Sequence, residues 1–248
     1  SYDALTFFVR KNFSQNWQGS ASYTYSYLRG NLAGPYREED GQIDPGITSE
    51  YDLASLTANR FGRLPGDRPH QVKLFGSYTF NLSQRFNVSA GAAYTGISGN
   101  PVNALGAHPD YGEGQAFILP RGMAGRAPFL HNVDLRGSLS YVVRPPYTLQ
   151  FSVDVFNILN SQEARTSDEN YTFDAVQPIA GINCDTSAAH SGDPVGQLKR
   201  DCPDVAYLKT VDGRPVTVNP NWGKAGTFAN QPNFQFPLSL RFGVALSF

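Results

Sequence analysis

Trp17-Gln18-Gly19-Ser20-Ala21-Ser22-Tyr23-Thr24-Tyr25-Ser26-Tyr27 alternates residue by residue between two kinds of side chain. The odd positions carry Trp17, Gly19, Ala21, Tyr23, Tyr25 and Tyr27, and the even positions carry Gln18, Ser20, Ser22, Thr24 and Ser26. A helix gathers residues three and four apart onto one face, whereas successive residues of a strand point to opposite sides. The segment therefore reads as a strand with one apolar, aromatic face and one small, polar face.

The same pattern recurs on both sides of it. Upstream, Leu5, Phe7 and Val9 alternate with Thr6, Phe8 and Arg10. Downstream, Val72, Leu74, Gly76, Tyr78 and Phe80 oppose Lys73, Phe75, Ser77 and Thr79, and Phe86, Val88, Ala90, Ala92 and Tyr94 oppose Asn87, Ser89, Gly91 and Ala93. Val133, Leu135, Gly137, Leu139 and Tyr141 face away from Asn132, Asp134, Arg136, Ser138 and Ser140. Leu149, Phe151, Val153 and Val155 oppose Gln150, Ser152 and Asp154, and the chain ends on Leu240, Phe242, Val244, Leu246 and Phe248 against Ser239, Arg241, Gly243, Ala245 and Ser247. These strands run to roughly 9–12 residues, where an ordinary strand has about 5–6. That is the length a tilted strand needs to cross the apolar band, about 25 Å tall, of a membrane barrel. Short turns at Asn12–Asn16, Asn81–Arg85 and Val143–Pro146 alternate with long connections at Arg29–Pro69, Gly96–Leu130 and Asn157–Pro237. Outer-membrane barrels show this asymmetry, with short periplasmic turns and long extracellular loops. The expectation is an all-β chain: an antiparallel transmembrane β-barrel segment of about seven long strands. All of residues 1–248 belong to it, with no plug domain in the chain.

Composition agrees. Net charge is −1, which gives no electrostatic case for nucleic acid. Mean hydropathy is −0.35, and no run approaches the ~18 apolar residues of a membrane helix; a barrel strand shows lipid only every second side chain. The opening Ser1-Tyr2-Asp3-Ala4-Leu5 has neither a basic nor an apolar leader segment. Cys184 and Cys202 suggest one disulfide in an oxidising compartment, although two buried thiols would give the same count. Aromatic side chains gather at both ends of the strands, as in a girdle at the membrane–water interface. Trp17, Tyr78, Tyr141 and Tyr147 belong to this set, with Tyr25, Tyr27 and Tyr94 towards the long-loop ends. An odd strand count does not close a bacterial barrel. Either a strand hides in 157–237 or other strands complete the wall.

Several stretches resemble late barrel strands of TonB-dependent outer-membrane receptors. They are Asp3-Ala4-Leu5-Thr6 through Tyr23-Thr24-Tyr25-Ser26, Asp67-Arg68-Pro69-His70-Gln71-Val72-Lys73-Leu74, Asp154-Val155-Phe156-Asn157-Ile158-Leu159-Asn160 and the ending Arg241-Phe242-Gly243-Val244-Ala245-Leu246-Ser247-Phe248. Asn103-Ala104-Leu105-Gly106-Ala107-His108-Pro109 and Asp168-Glu169-Asn170-Tyr171-Thr172-Phe173 are similar to loops of the Oar-like branch. The resemblance implies a barrel of about 22 strands, a plug and a TonB-contacting box outside this chain, and uptake or passage of a substrate captured by the outer loops. The partners it implies are outer-membrane lipid, the remaining strands and plug, the TonB system and the barrel-assembly machinery.

Four sets of residues are candidates for function. Phe242, Val244, Leu246 and Phe248 resemble the signal that the assembly machinery reads, by pairing with an exposed strand. Arg10, Lys73, Asn132, Asp134, Arg136, Gln150, Asp154 and Arg241 are expected to face the lumen, as a substrate path, a plug contact or simply a solvated wall. Glu38-Glu39-Asp40-Gly41-Gln42-Ile43-Asp44 is an acidic loop whose spacing does not match a calcium loop. Arg121, Arg126 and His131 read as rim charge, with anion or lipopolysaccharide binding as the sharper alternative.

No cofactor or metal is expected, because His70, His108, His131 and His190 lack ligand spacing. No G-x-S-x-G elbow is present, and enzymatic activity is not expected. The rival readings are a stand-alone small barrel acting as pore or anchor, an outer-membrane hydrolase using His131 with Asp134, and a soluble β-sandwich adhesin.

Overall fold

A computed structural model describes residues 1–34, 36–37, 42–43, 51–182, 184, 192–228 and 231–248. Seven long strands form one antiparallel sheet: β1 (Tyr2–Ser14), β2 (Trp17–Gly30), β3 (His70–Asn81), β4 (Phe86–Ile97), β5 (Leu130–Arg144), β6 (Tyr147–Phe156) and β7 (Ser239–Ser247). They are neighbours in sequence order, and the short strand Gly62–Arg63 adds to the outer end of β2. Each strand lies where the alternation places it. Among the described residues, no helix is long and apolar enough to cross a membrane.

The short turns are built for tight reversal. Gln15 and Asn16 join β1 to β2 with φ of 52° and 65°, the left-handed pair that a two-residue hairpin needs. Pairing is continuous across the sheet, so the two side-chain sets stay on opposite faces. One rung runs Trp17, Tyr78, Ala90, Gly137, Val153, Phe242 on the apolar face. The adjacent rung runs Gln18, Ser77, Gly91, Arg136, Asp154, Arg241 on the polar face. The sheet is open: among the described residues, no strand pairs with the outer edge of β1 or of β7. The described part of 157–237 adds no strand to it.

The sheet is not where the buried core sits. Leu5, Phe7, Leu74, Phe151, Phe242 and Leu246 are exposed, an apolar face of the kind that a barrel strand turns outward. The core lies in the long connections, where the sequence shows no helical period. Val102, Ala104, Ile118, Leu119, Tyr171, Val176, Leu198 and Trp222 pack together. Around them a small sheet joins Asn170–Ala175, Leu105–His108 and Gly112–Phe117. An α-helix spans Pro194–Asp201, started by the Asp193 carboxylate accepting from Gly196 N and by Pro194 in the first turn. Three connections thus build one folded loop unit above the sheet. Bonds that tie the first connection to the second include Ser55 Oγ to His108 Nε2 at 3.0 Å, the Tyr111 hydroxyl donating to Asp52 at 3.1 Å, and Asn59 Nδ2 donating to Ile118 O at 3.0 Å.

Candidate functional site

The polar face holds all eight residues expected on it. Lys73 shares a rung with Ser22, Thr95 and Asn132, and Arg10 shares one with Ser20, Phe75, Ala93 and Asp134. Gln150 pairs with Ser140 and Ala245. Only one group makes a charge cluster. Asp154 accepts from Arg241 Nε at 2.9 Å, Arg241 Nη2 lies 2.9 Å from the same oxygen, and Arg136 Nη1 reaches the other oxygen at 3.3 Å. The carboxylate is buried and both guanidiniums are more than half exposed, so donors remain open to the face. The Arg241 guanidinium also stacks 5.2 Å from the Phe156 ring centroid. A hollow of about 350 Å3 opens beside the cluster, lined by Phe13, Phe75, Ser77, Arg136, Asp154 and Phe156.

Asp134 has a different role. It accepts from Asn157 N at 2.9 Å and fixes the end of β6. Asn157 then clamps the chain returning to β7, donating to Ser161 O at 2.8 Å and Phe236 O at 2.7 Å. Asn160 accepts from Leu238 N at 3.0 Å. Both asparagines have positive φ, 50° and 49°, a conformation that asparagine tolerates better than other side chains. The paired asparagines were the signal for this clamp in the sequence.

The motif Asp67-Arg68-Pro69-His70 joins the loop unit to the sheet. Asp67 is buried, accepts from Leu28 N at 2.7 Å and pairs with Arg126. Arg68 donates to Ser98 O at 2.7 Å, and Ser26 Oγ donates to Arg68 O at 2.9 Å. Arg126 and Arg121 are buried, the latter 4.8 Å from the Phe117 ring centroid. The expectation that these two are rim charge is thereby corrected: packing of the loop unit encloses them. His131 does lie at the rim, on the apolar face, bonded to the Tyr94 hydroxyl at 2.9 Å. It therefore points away from Asp134 across the sheet, and the two do not form a hydrolytic pair.

Cys184 and Cys202 are joined in a disulfide with Cα atoms 5.4 Å apart. Asn103 and Trp222 are the loop-unit residues that sequence reasoning missed. Trp222 Nε1 donates to Asn103 O at 3.0 Å across 119 residues, and no local pattern announces such a pair. The acidic run Glu38–Asp44 lies outside the described residues except for Gln42 and Ile43, and His190 lies outside them too. Among the described residues no His, Cys, Asp and Glu group is placed to hold a metal.

The aromatic set occupies both ends of the apolar face. At the short-turn end, Lys11 stacks over Trp17, Tyr78 packs on Phe80, Tyr141 on Phe86 and Tyr147 near Phe248. At the other end, Tyr25 meets Tyr27 and His70, and Tyr94 meets His131. Phe242, Val244, Leu246 and Phe248 are exposed on the same face of the edge strand β7.

Long alternating strands, an open meander, an apolar outer face and a folded unit on the long-loop side define a class: a stretch of outer-membrane β-barrel wall. The whole chain is 38% identical, over 253 aligned residues, to the TonB-dependent transporter Oar of Myxococcus xanthus. It matches a C-terminal part of that protein and spans 22% of its length. Over its whole length the chain is thus similar to a C-terminal part of a TonB-dependent transporter. No protein-family model and no solved structure matches it.

Proposed function

We propose that this chain is part of the wall and outer mouth of a TonB-dependent transporter of the bacterial outer membrane, and that it works in transport, not catalysis. The observation that supports this most is the likeness of the whole chain to a C-terminal part of a TonB-dependent transporter, on a sheet whose two open edges call for further strands. In this reading the loop unit captures substrate outside the cell. The face carrying Arg10, Lys73, Arg136 and Arg241 lines the lumen, either along the substrate path or against a plug. The remaining strands and the plug come from elsewhere in the same polypeptide. Passage is energised through TonB, and β7 is read by the barrel-assembly machinery through Phe242, Val244, Leu246 and Phe248. A stand-alone pore or anchor is less well supported, because the described part of 157–237 supplies no closing strand.

The test is the denatured mass of the native polypeptide carrying this sequence, taken from an outer-membrane fraction. A mass several times 27.1 kDa supports the transporter reading. A mass near 27.1 kDa favours a small self-closing or oligomeric barrel, and TonB-driven transport is then abandoned.

A further inference from the structure

At the long-loop end of β2 and β3 the outward face stops being apolar. Tyr25, Tyr27 and His70 line a cavity of about 370 Å3 together with Arg63, Arg126 and Phe129. His70 stands across from Tyr25, with ring centroids 5.3 Å apart, and its Nδ1 is bonded to the Tyr23 hydroxyl at 2.8 Å. The Tyr25 and Tyr27 hydroxyls are bonded to each other. Arg29 continues the same face outward, its guanidinium 5.8 Å from the Tyr27 ring centroid. Arg29 is exposed, and no ion pair among the described residues includes it. Asp3 faces Tyr27 from β1, the opposite side of β2 from His70. Arg126 in the cavity lining is paired with Asp67, so the exposed Arg29 supplies the charge open to a ligand.

Three features together select a ligand. Guanidinium, imidazole and phenol groups are the donors that phosphate and sugar oxygens accept from. The volume falls in the range of a small-molecule site. The position matters most: strand parity places the cavity on the face that carries Val72, Leu74 and Ala21, at the outer limit of the apolar band, and not on the polar face. A soluble anion has no reason to settle beside lipid, whereas a lipid with an anionic headgroup meets acyl contacts below and cations above. We propose that this cavity binds the phosphorylated sugar headgroup of an outer-leaflet glycolipid, with Arg29 and His70 as its principal contacts. The proposal rests on the orientation given above, with the long loops outside.

The experiment uses the intact outer-membrane protein that carries this sequence, extracted in mild detergent, with bound lipid counted by native mass spectrometry. Wild type is compared with Arg29→Glu, Arg29→Gln, His70→Ala and, as a remote charge reversal, Lys209→Glu. Folding is checked for each by heat-modifiable migration on a gel. Wild type and Lys209→Glu are expected to retain phosphorylated glycolipid. The Arg29 and His70 variants are expected to retain about ten-fold less, the value of one lost charge-assisted hydrogen bond. Equal retention in all variants, or a folded wild type with no glycolipid, overturns the proposal. So does equal retention of a dephosphorylated glycolipid, or binding of inorganic phosphate alone to the delipidated protein. Absence of the protein from the outer membrane overturns the membrane reading itself, which is a different result from an inserted barrel that carries no glycolipid.

Discussion

Asn157 does two jobs at once. It sits at φ 50° and donates to two carbonyls, those of Ser161 and Phe236. Alanine there pays left-handed strain of about 1–2 kcal/mol and leaves those carbonyls without their donor. Glycine removes the strain but not the loss. Asn157→Ala is expected to cost about 2–3 kcal/mol and Asn157→Gly about half as much, read as the fall in unfolding temperature of the detergent-solubilised barrel. Tyr171, in the loop unit, gives a pH signature. Its ring is buried edge-on against Trp222 at 5.5 Å, its hydroxyl has no hydrogen-bond partner among the described residues, and burial pushes its pKa up to about 12. The folded state therefore disfavours the phenolate relative to the unfolded chain. The stability held below the ordinary tyrosine pKa of about 10 is lost as pH rises from there to about 12. Tyr171→Phe is expected to be close to neutral at pH 7 and to flatten this alkaline loss, by following Trp222 fluorescence between those limits in the two proteins.

At the scale of elements, the sheet was legible and the loop unit was not, for a physical reason. A half-exposed strand writes its two faces into alternate residues, so Trp17–Tyr27 or Leu240–Phe248 can be read from neighbours alone. The core of the loop unit draws Val102 and Ile118 from one connection and Tyr171 and Trp222 from another, and such pairings leave no local period. Its helix was more accessible: Asp193 followed by Pro194 is a start signal, overlooked because eight residues are too few to display a helical stripe. The polar-face residues followed from parity, but the convergence of Arg136 and Arg241 on Asp154 needed the register of three strands. The buried fate of Arg121 and Arg126 needed the tertiary packing. The disulfide holds the helix against the rest of its connection across a separation of 18 residues. Replacing both Cys184 and Cys202 with serine is expected to cost the loop unit about 3 kcal/mol. Limited proteolysis should then cut faster between the two positions, while the strands keep their protection.

For the molecule as a whole, the decisive feature is the pair of edges. β1 presents 13 residues and β7 presents 9, each with a row of backbone groups unpaired on its outer side among the described residues. In water such groups bond to solvent. In hydrocarbon each unsatisfied one costs several kcal/mol, and an open sheet does not persist there. The apolar face that suits β2 to β6 for lipid thus makes the seven-stranded sheet insufficient alone, and the strands that complete it are as necessary as any residue within it. Residues 1–248 exported by themselves are therefore expected to yield no protease-resistant, heat-modifiable species in the outer membrane. Supplying strands that pair with both edges should restore that species. Shortening the last side chain by Phe248→Ala should lower the yield of the completed barrel without changing the stability of the molecules that do assemble, because Phe248 is exposed at 88% and contributes little packing. A completed barrel that assembles normally with alanine at 248 would show that β7 is only an edge to be paired, and that its terminal aromatic residue is not read during assembly.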